Sequence, residues 1–88
     1  MGDKEFVAKA KKALVEAYNE RKGPFAQALK EEDLYVVWLT KVLQNNKALI
    51  STAIRHDGLY FEVTYNGDKH EMYLDIYRKQ DNICVQIF

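Results

Sequence analysis

Residues 33–77, DLYVVWLTKVLQNNKALISTAIRHDGLYFEVTYNGDKHEMYLDIY, decide the fold. They read as four strand-like runs separated by Asn45-Asn46, Asp57-Gly58 and Asn66-Gly67. Those dipeptides tolerate positive φ, which two-residue hairpin loops require. A loop on Asn45-Asn46 sets Leu39 opposite Thr52 and Val37 opposite Ile54. A loop on Asp57-Gly58 sets Ile54 opposite Phe61 and Thr52 opposite Val63. For the third turn a centre at Gly67-Asp68 is preferred, with Val63 beside Met72, Phe61 beside Leu74 and Thr64 beside Glu71. A centre at Asn66-Gly67 brings Glu62 against Glu71, and like charges directly opposite are destabilising.

Either choice leaves the two faces unchanged, because side chains alternate with period two. One face carries Val37, Leu39, Ile50, Thr52, Ile54, Leu59, Phe61, Val63, Met72, Leu74 and Ile76, and needs a cover. The other carries Trp38, Thr40, Val42, Leu49, Ser51, Ala53, Tyr60, Glu62, Thr64, Tyr73, Asp75 and Tyr77.

Upstream, Val7, Ala10, Leu14, Ala17 and Tyr18 recur at helical spacing, widened by Phe6 and Ala13. Asp3 is the expected N-cap, and Gly23-Pro24 the expected stop through a left-handed glycine. Glu5–Lys9 and Lys12–Glu16 are pairs at i,i+4 on the polar side. Residues 25–30 read as a further short helical turn, and Glu31-Glu32-Asp33 as an acidic lead into the first strand. Downstream, Ile83, Val85 and Ile87 alternate with Cys84, Gln86 and Phe88. With Asp81-Asn82 as a turn they form a short fifth strand, Ile87 landing beside Ile76. The expected fold is α+β: one domain over residues 1–88, with a helix over residues 3–22 packed on an antiparallel meander of four to five strands within residues 33–88.

Composition bounds the function. Lys+Arg 13 balances Asp+Glu 13, whereas a dedicated nucleic-acid or anionic-membrane binder usually shows a basic excess. No apolar run approaches the roughly 20 residues of a membrane span. The single Cys84 excludes an internal disulfide and fits a reducing cytoplasm. The opening Met1-Gly2-Asp3-Lys4-Glu5 lacks the pattern of a signal peptide, and Phe6 stands where a myristoylation signal has Ser or Thr. The expected location is therefore the cytoplasm, without membrane attachment.

The chemistry-bearing residues are scattered. Phosphate loops, dinucleotide glycine fingerprints, paired cysteines and zinc-protease helices are all missing. Gly67-Asp68-Lys69 precedes a strand, where a phosphate loop precedes a helix. His56 and His70 flank the third strand at opposite ends, about 20 Å apart, too far to share a metal. His70 is expected to face inward beside Tyr65. Cys84 has no histidine near it in sequence to activate it. Glu62, Glu71 and Asp75 share an open sheet face, which lacks the pocket that separates paired carboxylate pKa values. No cofactor, metal site or catalytic residue is assigned. An enzyme built on Cys84, His56 or His70 would need a site that forms only in an oligomer.

The outer face is unusual for a solvent face. Trp38, Val42, Leu49, Tyr60, Tyr73 and Tyr77 are large, and Trp and Tyr anchor interfaces. Tyrosines also favour strands and need no explanation one at a time. A third reading stacks single-stranded bases on the rings. Neutral charge, with Glu62 and Asp75 inside the face, disfavours nucleic acid.

The runs DLYVVW at 33–38, KVLQNNKALIST at 41–52, YFEVTYNGDK at 60–69 and EMYLDIY at 71–77 resemble a family of small proteins of unknown function. Its members are encoded by phages and prophages of Gram-positive bacteria. The resemblance covers the sheet and brings no activity, cofactor or catalytic residue. It implies a small protein acting in the cytoplasm of an infected host by binding. The expected function is thus a non-catalytic phage accessory protein that binds a host or phage protein through the outer sheet face. Trp38, Tyr60, Tyr73 and Tyr77 are the expected anchors, with Arg55, Glu62 and Asp75 as polar contacts. A homodimer through the same face is a further expectation. The alternative is a single-stranded nucleic-acid-binding module using the same aromatics.

Overall fold

The structure, a computed structural model, describes residues 1–53 and 58–87. A helix, α1 (Asp3–Arg21), precedes a short 3-10 turn (Glu31–Asp33) and the strands β1 (Leu34–Val42), β2 (Asn45–Thr52), β3 (Leu59–Asn66) and β4 (Glu71–Arg78). The strands form one antiparallel sheet in the order β1-β2-β3-β4. The protein is therefore α+β, one helix on a four-stranded meander.

α1 turns Phe6, Ala10 and Leu14 fully inward, with Val15 and Tyr18 at the margin. Phe6, expected on the flank of the stripe, sits at its centre. Burying side chains such as Phe6 and Leu14 stabilises by about 1.5–3 kcal/mol each, and that packing holds the helix down. Tyr18 meets Phe61 edge-on at 6.5 Å between centroids. Both caps differ from expectation. Gly2 is the N-cap, leaving Asp3 as an acidic residue inside the first turn, where it favours the helix dipole. At the other end Lys22 is extended (φ -67, ψ 152), so the chain leaves the helix before Gly23 and needs no left-handed glycine. The Glu5–Lys9 pair is present and exposed at 3.6 Å.

The 25–30 stretch is not a further helical turn. Phe25 is fully exposed, and a single bond from Ala26 N–H to the Gly23 carbonyl closes a tight turn. The chain then runs back along α1, held by Asn19. Its Nδ2 donates to the Leu29 carbonyl at 2.9 Å, and its Oδ1 accepts from Leu29 N–H at 2.8 Å. This clamp seats Leu29 in the core. Asp33 is buried, not a solvated lead-in. Its carboxylate accepts Lys30 N–H at 3.0 Å, and its carbonyl accepts Ala53 N–H at 2.8 Å, joining the start of β1 to the end of β2.

All the hairpin registers differ from the two-residue expectations, by even steps that keep the faces of β2–β4. Leu43-Gln44 closes the first hairpin, so Leu39 pairs with Ala48. Leu43 takes φ 55 there. Ile50 pairs with Phe61 and Ala48 with Val63, so the second connection is longer than a two-residue loop. Ile54, Arg55, His56 and Asp57, with the facing expected of Ile54, lie outside the described residues. The third loop holds four residues, Gly67 to His70, with Val63 opposite Leu74. Asn66 Oδ1 accepts the N–H groups of Asp68 and Lys69, and His70 takes φ 54 to enter β4.

A bulge at Val37 changes the facing of β1. Val36 pairs with Ile50 and Trp38 with Leu49, leaving Val37 between them. The core takes Leu34, Val36 and Leu39 from this strand, a spacing that strict alternation cannot supply and one extra residue can. Val37, expected inside, is therefore 52% exposed. The remaining sheet core is Ala48, Ile50, Leu59, Phe61 and Val63. Cover thins toward β4: Met72 and Leu74 are half-buried, and Ile76, also expected inside, is 44% exposed. One helix is too narrow for four strands spaced about 4.8 Å apart. No fifth strand forms among the described residues. Ile83, Val85 and Ile87 are exposed on an extended tail.

Candidate functional site

The face of the sheet away from α1 is built in cross-strand rows. The first is Tyr35, Ser51, Tyr60, Tyr77; the second Trp38, Leu49, Glu62, Asp75; the third Thr40, Lys47, Thr64, Tyr73. Tyr60 and Tyr77 are direct partners, and their rings stack at 5.2 Å with 12° between planes. Small Ser51 lies between that stack and Tyr35 in the row. Trp38 lies at the β1 end of the second row, packed beside Leu49. About three strand spacings, roughly 14 Å, separate it from the β4 end.

All four expected anchors lie on this face. Trp38 is 41% exposed, Tyr73 51% and Tyr77 40%, and Tyr60 is also open. They do not converge on one point but frame a surface. Glu62 and Asp75 are direct partners in the second row, and Arg55 lies outside the described residues. Sequence reasoning missed Tyr35. Strict alternation puts it inside with Val37, and the bulge turns it out to 54% exposure. It also missed Lys47, whose Nζ lies 2.6 Å from Glu62 Oε1.

That pair explains how Glu62 tolerates Asp75 opposite. The ammonium reaches across from the neighbouring strand and offsets the repulsion. The hydrogen bond to Glu62, then the charges of Glu62 and Asp75, raises the Lys47 pKa above the usual lysine value. Both side chains are partly solvated, so water and salt screen the pair and it adds little to stability. Tyr73 Oη donates to Glu71 Oε2 at 2.8 Å, and this bond, with the carboxylate charge, raises the Tyr73 pKa. Among the described residues, the face therefore carries Glu62, Glu71 and Asp75 against Lys47, an acidic excess.

Elsewhere the chemistry-bearing residues stay apart. His70 is in the third loop, exposed, its Nδ1 3.3 Å from Tyr65 Oη; it is beside Tyr65 as expected but not turned inward. Cys84 is exposed on the tail, and His56 lies outside the described residues. No group of three or more His, Cys, Asp or Glu among the described residues is arranged to hold a metal. A groove of about 500 Å³ runs between α1 and β1, floored by Val7, Ala8 and Leu39 and rimmed by Asp3, Lys4, Lys11 and Glu31. Its charges are mixed, two carboxylates and two ammonium groups. No helix among the described residues is long and apolar enough to cross a membrane.

The sequence profile of a family of unknown function (DUF6275) matches residues 7–87, and the chain belongs to that family. No curated protein and no solved structure matches it.

Proposed function

We propose, for this member of that family, that the open sheet face is a protein-docking surface and that the protein works by binding, without catalysis. The kind of protein its sheet sequence resembles gives the setting: a phage or prophage accessory protein acting on a host or phage protein in the cytoplasm. The observation that carries the proposal is the row structure of the face. A Trp and four Tyr stand open on a rigid sheet, in a fold whose buried core contains none of them. Rigid aromatics lose little conformational entropy on docking and supply most of the energy of an interface.

The charge pattern narrows the partner. Among the described residues, three carboxylates against one lysine favour a surface with basic residues around an aliphatic or aromatic plug. The same excess opposes a phosphate backbone. Tyr60 and Tyr77 already stack on each other, so each ring offers one free face rather than a platform for successive bases.

Affinity capture from a Gram-positive host lysate tests this, with wild type and Trp38→Ala run in parallel and with nuclease. A protein captured by wild type and lost with Trp38→Ala supports docking through this face. Capture of nucleic acid that nuclease abolishes moves the assignment to the nucleic-acid alternative.

A further inference from the structure

The second row of the open face ends in two different groups, Trp38 on β1 and Asp75 on β4, roughly 14 Å apart. Trp38 is the apolar anchor. Asp75 is the carboxylate that the fold leaves unanswered. Glu62, its direct cross-strand partner, is held by Lys47 at 2.6 Å, and Glu71 accepts the Tyr73 hydroxyl at 2.8 Å. Among the described residues no hydrogen bond or ion pair reaches the exposed Asp75 side chain. Like charges directly opposite are destabilising, and one ammonium facing two carboxylates leaves a net negative charge at the Glu62–Asp75 pair.

Rings stand on both sides of Asp75 along β4. Tyr73 and Tyr77 lie two residues away in each direction on the same face, at about 6.6 Å each. The Tyr60–Tyr77 centroid distance, 5.2 Å, is close to the strand spacing of about 4.8 Å, so the stack runs across the strands. Since β4 ends the strand order, the free face of Tyr77 looks past the sheet edge, one pleat from Asp75. A carboxylate and an open ring face stand side by side there.

We propose, resting on the docking surface above, that Asp75 and the free face of Tyr77 form an arginine subsite. A partner protein lays a guanidinium flat on the Tyr77 ring and directs its N–H fork at the Asp75 carboxylate. The chemistry selects this occupant. A guanidinium is planar, always charged and weakly hydrated, so it stacks on a ring and donates two hydrogen bonds to a carboxylate at once. An ammonium is a compact, strongly hydrated point charge and gains less from the ring. A phosphate backbone is repelled by the carboxylates. A second copy laid face to face meets the same three carboxylates against one lysine, among the described residues. The partner is thus a different protein, with an arginine roughly 14 Å from the apolar group that meets Trp38.

Titration of the full chain with acetyl-Gly-Arg-Gly-amide, followed by amide and tyrosine-ring NMR signals, tests the subsite against the matching lysine peptide at equal ionic strength. The arginine peptide is expected to shift the signals of residues 73–77 saturably and to bind about two- to fivefold tighter than the lysine peptide. Asp75→Asn, with an unchanged fold by circular dichroism, is expected to abolish the shifts, and Tyr77→Leu to remove the preference for arginine. No shift at 73–77, equal affinity for the two peptides, or shifts that survive Asp75→Asn overturn the proposal. So does a dimer in light scattering that Asp75→Asn dissolves, which assigns the arginine to a second copy. In the capture experiment Asp75→Asn is expected to lower recovery of the protein that Trp38→Ala loses. Recovery lost with Trp38→Ala yet unchanged with Asp75→Asn overturns the subsite alone and leaves the docking surface standing. Recovery unchanged with Trp38→Ala removes the docking surface, and the subsite with it.

Discussion

The two faces of this sheet are made by the same strands and have opposite chemistry. Under α1, β2 and β3 present Ala48, Ile50, Leu59, Phe61 and Val63, all buried. On the other side the same strands present Ser51, Tyr60, Glu62 and Thr64, joined by Trp38, Tyr35, Tyr73 and Tyr77 from the edges. Singly such rings need no explanation, but Trp and Tyr gathered on one open face are the residue types that anchor interfaces. The difference teaches that burial explains one face fully, and that the aromatics of the other are free to serve something outside the fold.

Neighbouring residues give the largest separation between the faces. Phe61→Ala is expected to cost about 3–5 kcal/mol, through lost burial and the cavity left behind. Tyr60→Ala, one residue earlier, removes a ring stacked on Tyr77 and is expected to cost about 0.5–1.5 kcal/mol. In an 88-residue chain each 1 kcal/mol moves Tm by about 4–8 °C, so melting curves separate the two cleanly. Equal losses would break the distinction between the faces.

A second substitution acts on both faces together. Gly67 lies against the Gln44 carbonyl of the first hairpin, and a Cβ at this position would run into that backbone oxygen. Gly67→Ala is expected to cost about 2 kcal/mol as one turn is pushed off the other. A neutral result would show that the two turns are not packed as described.

The smallest effect belongs to the electrostatics of the open face. Lys47 has a raised pKa in the folded chain, so its contribution is complete below the ordinary lysine value of about 10.4 and is lost as pH rises through the higher folded value. Tyr73, also raised, moves in the same direction near the ordinary tyrosine value of about 10. Thermal stability is therefore expected to decline above about pH 10, and less so in Lys47→Met. An identical decline in the variant would remove Lys47 from the account.

The sequence made the strands and the facing of β2, β3 and β4 legible, because alternation survives any register slip of two. It did not reveal the turns. Asn45 and Asn46 look like loop residues, yet both lie in β2. Asn46 Nδ2 donates to the Met1 carbonyl, 45 residues away, and Asn45 Oδ1 accepts from Gly67 N–H, 22 residues away. Local turn chemistry does not see such partners, and it left Leu43 in the left-handed region instead. Trp38, Tyr60, Tyr73 and Tyr77 were legible as surface aromatics. Tyr35 was not, because the bulge that turns it outward answers the needs of Leu34, Val36 and Leu39 inside.

The central claim is that Trp38 serves a partner and not the core. The most direct test measures melting and partner capture on the same Trp38→Ala preparation. The account predicts that the captured protein is lost while stability changes by less than about 1 kcal/mol. Retained capture, or a loss of stability comparable with that of Phe61→Ala, would contradict it.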